Sequence, residues 1–191
     1  MGCPVPKIAK HNAGCSLMRE PQHAAAVVAA MTRAVKIPVT VKMRAGWNES
    51  SRNAPQLAKM VEDAGASAVT VHGRTAAQSY SGLADWDLVA EVADALTIPV
   101  FGSGDCVTPE QVVEKLKLGV EGVLVGRGVL RNPWILAQAA DLASEVDVAK
   151  AGADLKALEE KLKAVGPQDA EYAHVRAEAE RAAARLQVSK R

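Results

Sequence analysis

The sequence predicts an α/β protein of about four parallel βα units followed by a helical hairpin. Three observations carry this. Short apolar runs near 38–42, 68–72, 98–102 and 122–125 are separated by stretches of helical period, a spacing that requires crossover connections and therefore parallel pairing. The last two runs enter glycine turns, Gly102-Ser-Gly-Asp105 and Gly126-Arg-Gly128. In addition, Val-Thr-Val-Lys-Met-Arg at 39–44 recurs thirty residues later as Val-Thr-Val-His-Gly-Arg at 69–74, the length of one βα unit.

Each element has its own signal. The segment from Met1 to Pro21 holds Lys7, Lys10, His11 and Arg19 and has no strand before it. Val27, Val28, Met31 and Val35 recur at helical spacing, and Val39-Thr40-Val41 opens the first strand. Leu57, Met60, Val61 and Ala64 mark the next helix, with Gly65 as its stop. Ala68 to His72 is the second strand, and Leu88, Val89 and Val92 mark the helix after it. Beyond the third strand, Thr108-Pro-Glu-Gln111 has the chemistry of a helix start, with Thr108 as the cap and Gln111 three residues on. That helix is expected to turn Val112, Val113 and Leu116 inward. The fourth strand leads into Gly126-Arg-Gly128 and a helix from about Pro133 to Ala143.

After Ser144 the composition shifts to Ala, Glu, Lys and Arg. Leu155, Leu158, Leu162 and Val165 form one stripe, Gly166-Pro167 interrupts it, and Tyr172, Val175 and Leu186 suggest a second helix. Nine basic residues there are matched by nine acidic ones, so the tail is no basic arm. The whole chain has 191 residues, 49% of them hydrophobic, and a net charge of +1, which neither supports nor excludes a nucleic-acid partner. Cys3, Cys15 and Cys106 fit no zinc spacing and follow no secretory segment, which predicts free thiols in a reducing cytoplasm and no metal site. Pro6 stands against a myristoylation pattern after Met-Gly-Cys, and no apolar run reaches spanning length.

Successive strand residues face opposite sides, so Thr40 with Lys42, and Thr70 with His72, share a face at the carboxyl end of their strands. Ligands of parallel α/β folds sit at that end. Glycine turns let backbone N–H groups approach a ligand closely, and Arg127 adds a fork of donors matched to phosphate oxygens. Gly102 to Asp105 and Gly126 to Gly128 therefore read as two halves of one phosphate cradle, of the kind formed after the last two strands of (β/α)8 barrels. Taken singly, each turn is also an ordinary connection and each polar side chain a solvated one. Their common phase describes a pocket for something anionic and flat.

Seven stretches together resemble the tRNA-dihydrouridine synthase family. They are Met1-Gly-Cys-Pro-Val-Pro-Lys7, Val41-Lys-Met-Arg-Ala-Gly-Trp47, Ser51-Arg-Asn-Ala54, Val71-His-Gly-Arg-Thr75, Tyr80-Ser-Gly-Leu-Ala-Asp-Trp86, Gly102-Ser-Gly-Asp105, and Gly126-Arg-Gly128 with Asn132-Pro-Trp134. The resemblance spans residues 1 to about 142. It implies a fold of TIM (β/α)8-barrel type, here a half-barrel with residues 1–143 as the FMN-binding, catalytic part and 144–191 as a helical tail. It also implies reduction of the uracil C5–C6 double bond in tRNA by FMN, with NADPH or NADH as reductant.

Carried over by position, the resemblance implies that Lys42 and His72 contact the flavin ring, with Arg74 as a neighbour. Ser103, Gly104, Asp105, Gly126 and Arg127 are implied to hold the ribityl phosphate. Cys3 is implied as the catalytic acid, a role suited to thiols, which at an ordinary pKa of ~8.5 are mostly protonated at neutral pH. A uridine must leave its stack to reach such a pocket, and Lys7, Lys10 and Arg19 are candidates for phosphate contacts. The chain departs from the family pattern in three places. No upstream barrel half precedes Gly-Cys-Pro, Ser103 stands where the family has Asn, and the tail does not closely resemble the family's tRNA-holding helical domain. The same residues also fit a catalytically silent half-barrel that binds phosphate or flavin and acts by association. A half-barrel is expected to self-associate through its open edges.

Overall fold

The computed structural model describes residues 1–144, 148–166 and, beyond these, 169, 171, 172, 174–176, 178, 179, 182 and 183. A short helix α1 (Pro6–Ala9) and a 3-10 turn (Gly14–Arg19) lead into α2 (Pro21–Ala34). Then come β1 (Thr40–Arg44), α3 (Ala54–Asp63), β2 (Ala68–His72), α4 (Trp86–Ala95), β3 (Val100–Ser103), α5 (Pro109–Leu116) and β4 (Gly122–Leu124). The helices α6 (Gly128–Arg131), α7 (Ile135–Ser144) and α8 (Val148–Ala164) complete the order. The strands form one sheet in the order β1-β2-β3-β4, with every neighbour parallel. This is an arc of four βα units of barrel type.

One face of the sheet packs on the helices. Val41, Met43, Val69, Val71 and Val100 are almost fully buried there against Leu57, Val61, Val89 and Val92. Helix α3 shows how local sequence sets this layer. Its buried residues Ala54, Leu57, Ala58 and Val61 lie three and four apart, a stripe turned slightly from the expected one, with Met60 and Ala64 only partly covered. Gly65 ends the helix at φ +94°, and the Thr32 hydroxyl of α2 donates to the Ala64 carbonyl at 2.9 Å. Thr108 caps α5 as expected, its hydroxyl accepting from the Gln111 N–H while the Gln111 side chain returns to the Thr108 N–H. Val112 is buried, whereas Val113 and Leu116 are only partly so.

Several apolar residues at the flanks are uncovered. On α2, Ala24 and Val28 are buried, but Met31 is exposed, as are Val35 and Ile37 between α2 and β1. Leu124, Leu130, Trp134 and Leu136, at and after β4, are exposed as well. No further strand of the described residues pairs with either outer strand, and apolar residues near both are exposed. In the tail, Leu155, Leu158, Leu162 and Val165 are partly buried, and the described residues from Tyr172 onward are mostly helical, with Val175, Ala179 and Ala182 buried. Leu186 and Pro167 of the expected hairpin lie outside the described residues. No described helix is long and apolar enough to cross a membrane.

Candidate active site

Register places the site. Arg44 pairs with His72, His72 with Ser103 and Ser103 with Leu124, so one row crosses the carboxyl ends of all four strands. Lys42, Thr70, Phe101 and Gly122 form the row one pleat below, on the same face. That face is opposite the helix layer. Lys42 and His72 are therefore diagonal neighbours on the concave side. Arg44 joins them, a residue to which the sequence reading gave no role, although it follows Lys42 at the strand period. It is only 4% exposed. Its Nε donates to the Gly2 carbonyl at 3.0 Å, and its Nη1 to the carbonyls of Thr75 and Ser79 at 2.9 Å each.

His72 is held by one nitrogen. Nδ1 lies 3.0 Å from the Ser103 carbonyl oxygen and donates to it, while Nε2 is buried without a partner among the described residues. Burial first, then the cations of Arg44 and Lys42, lower its pKa to about 4. The imidazole is neutral at physiological pH, with Nε2 left as an acceptor. Lys42 opens onto the concave face yet is flanked closely enough that desolvation, then Arg44, holds its ammonium below the ordinary lysine value. No carboxylate of the described residues pairs with it.

Three loops build the cradle. Gly104, at φ +131°, brings the backbone so close that a Cβ there would lie 2.6 Å from the Ala84 Cβ, and its carbonyl accepts from Trp86 Nε1 at 2.9 Å. With the Ser103 and Gly104 carbonyls engaged by His72 and Trp86, the N–H groups of Gly104, Asp105 and Cys106 have no acceptor among the described residues. The Asp105 side chain is engaged within the protein. Its carboxylate turns inward, Oδ1 accepting from Arg74 Nη2 and Oδ2 from the Ala84 N–H, both at 2.6 Å. Burial alone would raise this carboxyl, but the Ala84 N–H and Arg74 outweigh it and hold it below its ordinary value.

Arg74 is 3% exposed and also donates to the Ser81 and Gly82 carbonyls, so it binds the loop after β2 to the loop after β3. Its Nη1 is buried without a partner among the described residues. Gly102 also has a packing role, since it faces the helices, where a Cβ would collide with the Trp86 ring at 2.2 Å. The Gly126-Arg-Gly128 turn closes the other side. A Cβ on Gly128 would lie 2.4 Å from the Cys106 carbonyl oxygen, whereas Gly126 faces open space. The exposed Arg127 has its guanidinium carbon 4.7 Å from the centroid of the Tyr80 ring.

Cys3 lies at the same end of the sheet. Met1 donates from its ammonium to the Lys42 carbonyl, and the Gly2 carbonyl accepts from Arg44, so Met1–Gly2 run along the free edge of β1. The Cys3 carbonyl accepts from the Cys15 N–H at 3.1 Å, fixing the backbone while the residue stays exposed.

A family model described as dihydrouridine synthase matches residues 1–190. The chain belongs to the dihydrouridine synthase family. The match runs through the tail, beyond the residue near 142 where the resemblance was expected to stop. The chain is 49% identical over 140 residues to a probable tRNA-dihydrouridine synthase of Rickettsia prowazekii, covering 73% of this chain and 43% of that protein. It is 43% identical over 145 residues to one of Rhizobium leguminosarum bv. phaseoli (74% and 46%). It is 40% identical over 141 residues to tRNA-dihydrouridine synthase B of Xanthomonas campestris (73% and 42%). The chain thus spans less than half the length of these curated relatives.

Within this dihydrouridine synthase family member, Cys15 and Cys106 differ from the exposed Cys3. Both are buried, and burial raises both thiols, that of Cys106 to about 11. Among the described residues no group of His, Cys, Asp and Glu is arranged to hold a metal ion. Tyr80 and Arg44 are the residues that sequence reasoning left without a role. Arg44 was findable from the strand period, but Tyr80 was not, since only the fold brings it to Arg127.

Proposed function

We propose that this chain carries the catalytic half of a tRNA-dihydrouridine synthase, with residues 1–143 as the FMN-binding part and 144–191 as a helical tail. The observation that carries this reading is the row Arg44, His72 and Ser103 with Lys42 one pleat below, all on the face bordered by the glycine cradle. The residues fit a phosphorylated flavin. Free N–H groups at Gly104 and Asp105, with Arg127 lacking a carboxylate partner among the described residues, suit a phosphate. The unpartnered His72 Nε2 and the Lys42 ammonium suit the polar edge of a flat ring.

When bound, FMN would supply the hydride for the uracil C5–C6 double bond, with NADPH as the source of its electrons. The chain's residues do the rest. Cys3 delivers the proton to the other carbon. Lys42 and neutral His72 orient the ring system, and the cradle fixes its phosphate. The tRNA uridine reaches the site flipped from its stack, and the exposed Lys7, Lys10 and Arg19 are the candidates for contacts to its phosphate backbone. The protein works in the cytoplasm, beside its tRNA.

The test is tRNA-dependent oxidation of NADPH, with dihydrouridine detected in the product, by a protein of the relatives' full length that contains this chain. FMN binding without that turnover would favour a silent flavin-binding domain instead. In FMN titrations, Arg127→Ala is expected to weaken binding about ten- to a hundredfold, the loss of one charge-assisted contact of about 1.5–3 kcal/mol. Equal affinities would remove Arg127 from the phosphate site.

The outer edge of β4 and the part of the β1 edge that Met1 and Gly2 leave uncovered, with Met31, Val35, Ile37, Leu130, Trp134 and Leu136 exposed, make self-association the expected behaviour of the isolated chain. Light scattering is expected to show species larger than one chain at micromolar concentration. A stable, monodisperse monomer would contradict this.

A further inference from the structure

We infer that Tyr80 is a positioning residue for Arg127, its ring holding the guanidinium beside the cradle before any phosphate is bound; this rests on the reading that the cradle takes the FMN phosphate. Tyr80 is 61% exposed, and the backbone on either side of it is held in place. Arg44 holds the Ser79 carbonyl at 2.9 Å, and Arg74 holds those of Ser81 at 3.2 Å and Gly82 at 2.7 Å. Ser79 takes φ +54°, a left-handed conformation disfavoured for serine, which the surrounding bonds sustain. Earlier in the loop, the Thr75 N–H donates to the Gln78 side chain and the Gln78 N–H to the Thr75 hydroxyl. Two buried guanidiniums therefore fix the loop on both sides of the ring.

Arg127 is what the ring meets. Its guanidinium carbon is 4.7 Å from the ring centroid, against 6.0 Å for Arg44 on the same ring. No carboxylate of the described residues pairs with Arg127. A ring face attracts a cation without consuming its N–H donors, so the guanidinium edge stays free for phosphate oxygens. A carboxylate in the place of Tyr80 would compete with the phosphate for those donors. A long side chain also surrenders rotamer freedom when it clamps a ligand, and one already held against a ring surrenders less.

The test compares FMN with riboflavin, which lacks the phosphate, in titrations of the chain. Tyr80→Leu is expected to weaken FMN binding about two- to fivefold, the equivalent of an exposed cation–π contact, and to leave riboflavin binding unchanged. Tyr80→Phe, which keeps the ring, is expected to restore FMN affinity. Adding Tyr80→Leu to Arg127→Ala is expected to cost nothing further. Without any ligand, NMR relaxation of the Arg127 Nε–H is expected to report greater mobility in Tyr80→Leu and not in Tyr80→Phe. Equal losses for FMN and riboflavin, additive losses in the double variant, or unchanged Arg127 mobility would each overturn the positioning role. A loss in Arg127→Ala with none in Tyr80→Leu would overturn that role alone. Unchanged FMN affinity in Arg127→Ala would overturn the phosphate reading and this role with it.

Discussion

Cys3→Ala, in a protein of the relatives' full length that contains this chain, is expected to bind FMN and accept electrons from NADPH normally, yet to reoxidise with unmodified tRNA about 10²- to 10⁴-fold more slowly. That range is the usual contribution of a general acid, and a thiol that protonates uracil has no part in the earlier steps. Cys3 is exposed, and its backbone is fixed by the Cys15 N–H beside a Gly2 carbonyl already bound to Arg44. Gly14, at φ +60°, permits this approach, since a Cβ there would lie 2.6 Å from the Cys3 carbonyl oxygen. Cys15→Ala is the control, because that thiol is buried and raised by burial. Stopped-flow absorbance showing wild-type reoxidation in Cys3→Ala would exclude the acid role, and equal slowing in Cys15→Ala would move it to the other cysteine.

Asp105→Ala is expected to destabilise the chain by about 3 kcal/mol, the lower end of the cost of breaking a buried ion pair. Arg74 would keep its charge at 3% exposure while losing its carboxylate, and Ala84 would lose its acceptor. The lower end applies because Asp105 is itself 29% exposed. FMN affinity is expected to fall with it, because the loop after β3 loses its tie to the loop after β2. The pH dependence has a definite sign. The folded-state carboxyl lies below its ordinary value of ~3.9, so its stabilisation is fully present above that value and is lost as pH falls through the lower folded value. Urea unfolding followed by circular dichroism should therefore show a wild-type advantage that is constant near neutrality and shrinks below about pH 4. Coincident unfolding curves at neutral pH would show that the pair contributes nothing.

Much of this was legible because it is local. The Thr108–Gln111 cap, the Gly65 stop and the strand β2 depend on residues within a few positions of one another, and period-two alternation alone put Lys42 and His72 in phase. The helical spacing of α2 was legible for the same reason, but not which of its apolar residues would be covered. Periodicity marks which residues are apolar, and it cannot say whether a neighbour exists to cover Met31 and Val35.

By itself, the sequence determined the βα order, the parallel sheet and the family, since motifs and hydrophobic period are properties of contiguous residues. Tertiary structure alone decided which polar groups spend their charge on one another. Arg74 and Asp105 are 31 positions apart, and nothing near either announces that they pair. Gly102 resembles its cradle neighbours in sequence but faces Trp86, and Arg127 meets Tyr80 across loops from two different strands. The reason is register. Which side chains converge at the strand ends depends on how each strand is aligned with the next, and only the closed packing of helices on one face fixes that alignment.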